Sequence, residues 1–137
     1  YYRFDESMVK EFNMAMYDSL YPEDYKFKYP KAGEDNSQVD IYMINIKDGK
    51  KVKASLPVYE YVPRIKWANN AQLAIITMNR HQSNLKLLLS DVNTGESKLI
   101  LEENSKTYID VTDDLTFLPG TLTRFVIEGY RAYHLFL

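Results

Sequence analysis

Few residues in this chain have side chains suited to covalent chemistry. There is no cysteine, and the two histidines stand apart, His81 in a polar link and His134 in a candidate strand. No serine has the Gly-x-Ser-x-Gly surroundings that expose a nucleophile on a tight strand-to-helix turn. We therefore predict no catalytic residue within these 137 positions, and we interpret both histidines as surface or hydrogen-bonded side chains.

Sites for metals, cofactors and nucleic acids are not indicated either. The histidines lack the local spacing of a metal-binding pair, and the five glycines are isolated, so no phosphate-binding loop is predicted. A net charge of −2 without a sustained basic run argues against nucleic acid as a partner. A glycosidase would need converging carboxylates, and nothing in the sequence marks out such a pair. We predict no metal and no cofactor.

A tyrosine-rich stretch is the one candidate binding feature. From Asp18 to Glu34 the sequence shows neither a helical nor a strand period, and we predict a long loop, which in a compact domain is usually functional or in contact with something. Its tyrosines either pack on their own domain or form a contact arm, because Tyr offers a large contact area with few rotatable bonds. The candidate arm, about residues 13–34, has these candidate contact residues: Tyr17, Leu20, Tyr21, Tyr25 and Tyr29.

The best-defined unit surrounding these features runs over residues 63–101. It predicts four antiparallel strands joined by three turns, and Gly95 supplies the positive φ that the last turn requires. Asn69 and Asn70 are expected to adopt left-handed conformations in the first turn. The second strand is almost wholly apolar, which indicates burial on both faces. The predicted strands are Arg64–Trp67, Leu73–Asn79, Leu85–Asp91 and Ser97–Leu101.

Partial copies of this unit stand on both sides of it. Gly49 and Gly95 are 46 positions apart in similar strand–turn–strand patterns, and a second set of matches has an offset of 50. Both offsets fall within the roughly 40–50 residues of a propeller blade. We predict an all-β fragment of a β-propeller, in which residues 1–62 form a partial blade with the arm, residues 63–101 a complete blade, and residues 102–137 a second partial blade.

Further strands complete this prediction. Val9–Tyr17 is interpreted as a strand, with a short helix as the alternative. Both ends of the chain read as strands, so we expect a piece of a longer protein. No apolar run approaches the roughly 20 residues that a membrane-spanning helix needs. The other predicted strands are Tyr1–Phe4, Val39–Ile46, Lys50–Ala54, Leu115–Leu118, Thr123–Ile127 and Tyr133–Leu137.

Six short motifs occur in a fixed order along the chain. They are YYRFDES at Tyr1–Ser7, YPKAG at Tyr29–Gly33 with a following Asn36, PRIKW at Pro63–Trp67, NRHQ at Asn79–Gln82, SKTY at Ser105–Tyr108 and EGY at Glu128–Tyr130. Together they resemble the β-propeller of the dipeptidyl peptidase IV family, and its bacterial members most closely. The sequence departs from the family pattern between residues 119 and 128, where it is shorter and lacks a Trp.

The resemblance implies a parent enzyme with an eight-bladed N-terminal propeller and a C-terminal α/β-hydrolase domain that carries the catalytic Ser, Asp and His. Such enzymes are secreted or periplasmic serine peptidases, and they release N-terminal dipeptides whose second residue is Pro or Ala. None of the triad matches residues of this chain, and Asp5-Glu6 does not match the pair of glutamates that holds the substrate's amino group. The chain alone is therefore expected to be inactive, and peptide substrates belong to the parent.

The arm occupies the position of a blade extension that helps to build the dimer in this family. The resemblance therefore favours a contact arm and a homodimer over a surface loop. The alternative function is a stand-alone propeller that binds a protein partner and has no enzyme attached.

Overall fold

The computed structural model describes residues 1–118, 125–129 and 132–136, and all regular structure in these ranges is β. The predicted all-β class is confirmed. None of this described chain forms a helix with the length and apolarity that crossing a membrane requires. The strands are β1 (Tyr2–Asp5), β2 (Glu11–Met16), β3 (Glu23–Lys28), β4 (Gln38–Ile44), β5 (Lys51–Lys53), β6 (Tyr61–Asn69), β7 (Gln72–Met78), β8 (Asn84–Asp91), β9 (Ser97–Asn104), β10 (Thr116–Phe117), β11 (Phe125–Gly129) and β12 (Ala132–Phe136).

The chain divides into two compact units. One unit consists of residues 2–40, and the other of Tyr1 with residues 41–137. The boundary falls inside β4, whose first three residues belong to the smaller unit.

The larger unit is built on an antiparallel four-stranded sheet with the order β6-β7-β8-β9. This is the sheet predicted from residues 63–101, although the structure begins it at Tyr61 and continues it to Asn104. The register pairs Ile75 of β7 with Leu88 of β8, and Leu88 with Leu99 of β9. Consecutive strands are neighbours, as expected for a chain that returns through short turns.

The core lies on both faces of β7. Every side chain from Leu73 to Met78 is buried, so the predicted burial of this strand on two faces is confirmed. On one face, Ile76 and Leu87 pack with residues of the segment after β9, including Ile109 and Leu115. The backbone N–H of Ile109 donates to the carbonyl oxygen of Gln82 at 2.7 Å, which ties that segment to the β7–β8 turn.

The first turn of this sheet differs from the expectation. The left-handed backbone predicted at Asn69 and Asn70 is wrong, because within residues 1–118 the only non-glycine residue with positive φ is Gln82, at 53°. The Asn69 side chain forms the turn instead, and its Oδ1 accepts the Ala71 N–H at 2.8 Å. Asparagine stabilises turns through such side-chain bonds as well as through left-handed backbone. Gly95 has the predicted positive φ, 79°.

The larger unit contains a second antiparallel strand pair, formed by β4 and β5. They pair antiparallel, with Tyr42 opposite Lys53 and Ile44 opposite Lys51. Ile41 and Met43 are buried, whereas Ile44 is exposed, so one face of β4 packs in the core and the other does not. The N-terminal amino group of Tyr1 donates to the carbonyl oxygen of Tyr42 at 2.7 Å.

The third sheet of this unit is antiparallel, with the order β10-β11-β12. β11 and β12 overlap the strands predicted at Thr123–Ile127 and Tyr133–Leu137, and Val126 pairs with Leu135. Residues 119–124, 130, 131 and 137 lie outside the described residues, and with them part of the segment that departs from the family pattern.

The smaller unit corrects one prediction. The long loop predicted from Asp18 to Glu34 is wrong, because β3 lies within it and pairs with β2 in an antiparallel hairpin. The physical reason is an alternation at period two, in which Tyr25 and Phe27 share one face of β3 while Lys26 points to the other. The strand predicted over Val9–Tyr17 is confirmed as β2, and its helical alternative is wrong.

Candidate functional site

Four aromatic rings hold the base of the β2–β3 hairpin together. Phe12 of β2 stands opposite Phe27 of β3, and the two rings meet edge to face with centroids 5.7 Å apart. Tyr29 lies against both of them, at 5.9 Å from Phe12 and 6.0 Å from Phe27, and Tyr25 lies 5.4 Å from Phe27. Each such pair contributes about 0.5–1.5 kcal/mol beyond its buried area. This aromatic cluster (Phe12, Tyr25, Phe27 and Tyr29) joins β2 to β3 and to the residues after β3 through ring contacts.

A lysine covers the cluster on one side. The ammonium nitrogen of Lys31 lies 5.2 Å from the centroid of the Phe12 ring, within the range of a cation–π contact. Lys31 follows Tyr29 and Pro30 in the YPKAG motif. The motif therefore supplies both a ring of the aromatic cluster, Tyr29, and the lysine that lies against it.

An ion pair between Lys10, just before β2, and Glu34, after β3, joins the two chain segments that lead into and out of the arm. We call this region, Lys10 with residues 29–34, the neck of the arm. The ammonium group of Lys10 donates to Oε1 of Glu34 at 2.6 Å, and the Lys31 N–H donates to Oε2 of Glu34 at 3.2 Å. The Tyr29 N–H donates to the Lys10 carbonyl oxygen at 3.0 Å. The hydrogen bond from Lys10 lowers the pKa of the Glu34 carboxyl below its ordinary value, and the same bond raises the pKa of Lys10.

The tip of the hairpin exposes large apolar side chains. Tyr17 is 77% exposed, Leu20 89% and Tyr21 78%. The Ser19 hydroxyl donates to the Tyr21 carbonyl oxygen at 2.6 Å and shapes the turn that presents them. These three exposed side chains, close together in the sequence, are a candidate contact surface.

The five predicted contact residues therefore fall into two groups. Tyr17, Leu20 and Tyr21 form the exposed tip, whereas Tyr25 and Tyr29 belong to the aromatic cluster and are 58% and 53% exposed. Of these five residues, Tyr25 and Tyr29 make ring contacts within the hairpin. Sequence reasoning missed the cluster and the Lys10–Glu34 ion pair, although the alternation of aromatic and charged residues from Tyr25 to Tyr29 was a signal for the strand.

Outside the arm, the side chains that could bind a metal or take part in catalysis do not lie together in the described residues. The described ranges contain no group of three or more His, Cys, Asp or Glu side chains that could hold a metal ion. His81 is exposed in the turn after β7. Arg64 forms an ion pair with Asp113, and its hydrogen bond lowers the pKa of that carboxyl.

A cavity beside Arg64 is too small for a substrate. It has a volume of about 60 Å³ and is lined by Lys66, Ala74, Ile76 and Leu115 among others. Binding sites for small ligands usually measure about 300–1,000 Å³. The arm is therefore the strongest candidate site in the described chain.

Comparison with known proteins adds three relatives and one family. The family model for the dipeptidyl peptidase IV (DPP IV) N-terminal region matches residues 1–136. The crystal structure of dipeptidyl peptidase 4 from Porphyromonas gingivalis superimposes with a TM-score of 0.86 at 38% identity, over 98% of this chain and 20% of that one. This similarity confirms the predicted propeller fold, with one complete blade between two partial ones.

Two curated relatives are more distant. "Probable dipeptidyl-aminopeptidase B" of Emericella nidulans is 29% identical over 129 residues, which cover 80% of this chain and 14% of the relative. "Inactive dipeptidyl peptidase 10" of Mus musculus is 28% identical over 97 residues, which cover 66% of this chain and 12% of the relative. The chain thus spans between about an eighth and a fifth of the length of these relatives.

Proposed function

The chain belongs to the family of dipeptidyl peptidase IV N-terminal regions, and from this membership we propose that it is the non-catalytic propeller segment of a serine-type dipeptidyl peptidase. The single observation that carries the proposal is the family match over residues 1–136. In this proposal the catalytic Ser, Asp and His lie in an α/β-hydrolase domain of the parent chain, and the propeller shapes the access of peptide substrates to them. The parent releases N-terminal dipeptides with Pro or Ala second, and it is secreted or periplasmic.

An activity assay tests the division of labour. The isolated chain is expected not to cleave a Gly-Pro chromogenic substrate, because no serine in it has the surroundings of a hydrolase nucleophile. The parent protein, assayed beside it, is expected to cleave the substrate and to lose this activity with a serine-directed inhibitor. Turnover by the isolated chain that the same inhibitor abolishes would refute the proposal.

The second part of the proposal concerns the arm, which contributes to a homodimer. Its support is the exposure of Tyr17, Leu20 and Tyr21 at the end of a hairpin that its own aromatic cluster stabilises. Aromatic side chains such as Tyr17 and Tyr21 bury about 150–250 Å² each, whereas a stable interface buries about 800 Å² per partner. In this proposal the tip is therefore one part of a wider contact.

Substitution of the tip tests this role. The triple variant Tyr17→Ser, Leu20→Ser, Tyr21→Ser leaves the β2–β3 register and the aromatic cluster untouched, so it is expected to fold. In the parent protein it is expected to weaken the dimer at least tenfold, which sedimentation velocity across a dilution series measures. The matched control is Val58→Ser, which removes an apolar side chain that is 99% exposed outside the arm. An unchanged dimer in the triple variant would remove the arm from the proposal.

A second candidate function is a propeller that binds a protein partner without catalysis. The similarity to a mouse relative whose name describes it as inactive favours this candidate. The coding sequence of the parent separates the two: a downstream Gly-x-Ser-x-Gly followed by Asp and His supports the peptidase, and a parent chain that ends within the propeller supports the binding module.

A further inference from the structure

Two turns in the larger unit have the same backbone geometry. In the β4–β5 turn, the Asn45 N–H donates to Lys50 O at 2.9 Å and the Gly49 N–H donates to Asn45 O at 2.8 Å. In the β8–β9 turn, the Asp91 N–H donates to Glu96 O and the Gly95 N–H donates to Asp91 O, both at 2.9 Å. The two glycines have φ angles of 73° and 79°. A side chain would therefore be strained to a similar degree at either position.

The surroundings of the two glycines differ. No described atom lies within 4 Å of the place where a Cβ on Gly49 would stand. A Cβ on Gly95 would overlap the carbonyl oxygen of Lys53 and would lie 3.0 Å from Cγ1 of Val52. The overlapping atom belongs to the backbone at the end of β5, so it cannot rotate away as a flexible side chain would.

A hydrogen bond fixes the same contact. The Ser55 N–H, just after β5, donates to the carbonyl oxygen of Gly95 at 2.8 Å. One residue earlier, the Ala54 N–H donates to Ile41 O at 2.9 Å inside the β4–β5 pair. The amide of Ala54 therefore ties the end of β5 to its own sheet, and the amide of Ser55 ties it to the neighbouring one.

Hydrogen bonds within the β8–β9 turn stabilise its conformation. Oδ1 of Asp91 accepts the Asn93 N–H at 2.8 Å and the Thr94 N–H at 2.9 Å. The bond from Thr94, followed by that from Asn93, lowers the pKa of the Asp91 carboxyl. These hydrogen bonds do not involve β5, so the conformation of the turn does not depend on the contact with β5.

We propose that the Asp91–Glu96 turn is a clasp between successive blades, in which the missing side chain of Gly95 lets the β8–β9 turn lie on the backbone of β5 and accept the Ser55 N–H. The clasp sets the spacing between the two sheets. At position 95 glycine is required for two reasons, because a Cβ has no room beside Lys53 and because φ is positive. At position 49 glycine is required only because φ is positive. This inference is independent of the catalytic and dimer roles proposed above.

Hydrogen exchange resolved to single amides tests the clasp in the full-length protein. In the unaltered protein the Ser55 amide is expected to be protected about as strongly as the Ala54 amide, because exchange there requires the two sheets to separate. Gly95→Ala is expected to speed exchange at Ser55 at least about 100-fold. Gly49→Ala is the matched control, and it is expected to speed exchange at Asn45 while changing Ser55 less than about threefold.

Two results would overturn the proposal. One is a Ser55 amide in the unaltered protein that exchanges as fast as the amide of Lys47, which donates to an exposed side-chain atom, Oδ1 of Asn45. The other is equal acceleration at Ser55 in the two glycine variants. If Gly95→Ala does not fold, the protection of Ser55 in the unaltered protein decides the matter in either direction.

Discussion

The Lys10–Glu34 ion pair shows how single residues shape the arm. The two side chains close the neck of the arm with a bond of 2.6 Å, and the pKa of Glu34 lies below its ordinary value as a result. Because the carboxyl pKa is lowered, the ion pair stabilises the folded arm fully at pH values above the ordinary carboxyl pKa. This contribution is lost as the pH falls through the pKa of the folded state. The raised pKa of Lys10 adds a contribution that is lost at the alkaline end, as the pH rises through it. The neck is therefore most stable between these two limits.

A titration followed by NMR checks this point. Replacement of Lys10 by Met is expected to raise the Glu34 pKa toward its ordinary value, although the bond from the Lys31 N–H still lowers it in part. Asp91 is an internal control, because backbone N–H donors in its own turn lower its pKa and the substitution does not touch them. If the Glu34 pKa in the variant equals that in the unaltered protein, the Lys10 bond is not formed in solution.

Among the elements, β7 carries the stability of the four-stranded sheet. Replacement of Ile75 by Ala, at a position with no exposed surface, is expected to cost about 2–5 kcal/mol of unfolding free energy, because it leaves a cavity between two packed faces. Leu99→Ala on β9 removes the same kind of apolar mass from a side chain that is 46% exposed, and it is expected to cost less than about 1 kcal/mol. Urea denaturation of the two variants measures the difference, and equal midpoints would contradict the two-faced burial of β7.

The predictability of these elements from sequence follows the same contrast. β7 was predicted because a short run of apolar residues bounded by turns is typical of a strand that is buried on both faces. β3 was missed because its alternation is short and its partners are local: Phe27 is supported by Phe12 and Tyr29 of the same hairpin, so no continuous apolar run marks the strand. The wrong conformation at Asn69 has a similar origin, since the sequence permits two kinds of asparagine turn and only the surrounding backbone selects one.

At the scale of the whole molecule, the chain leaves surfaces that suit neighbours. The order β6-β7-β8-β9 places β6 and β9 at the edges of the sheet, and Trp67 and Leu99 on these strands are both exposed. Exposed strand edges that carry apolar residues promote association. The isolated 137-residue chain is therefore expected to self-associate, with a sedimentation coefficient that rises with concentration. A concentration-independent monomer with one sharp cooperative melt would contradict this expectation.

The neck of the arm also has a consequence for the length of the arm. The chain leaves for the hairpin at Lys10 and returns at Glu34, and the contact between these residues, together with that between Tyr29 N–H and Lys10 O, brings the two points side by side. The entropic cost of closing a loop between two such points grows only slowly with its length, by about 0.6 kcal/mol for each doubling. We therefore expect the arm to tolerate a change of length without rerouting of the strands on either side.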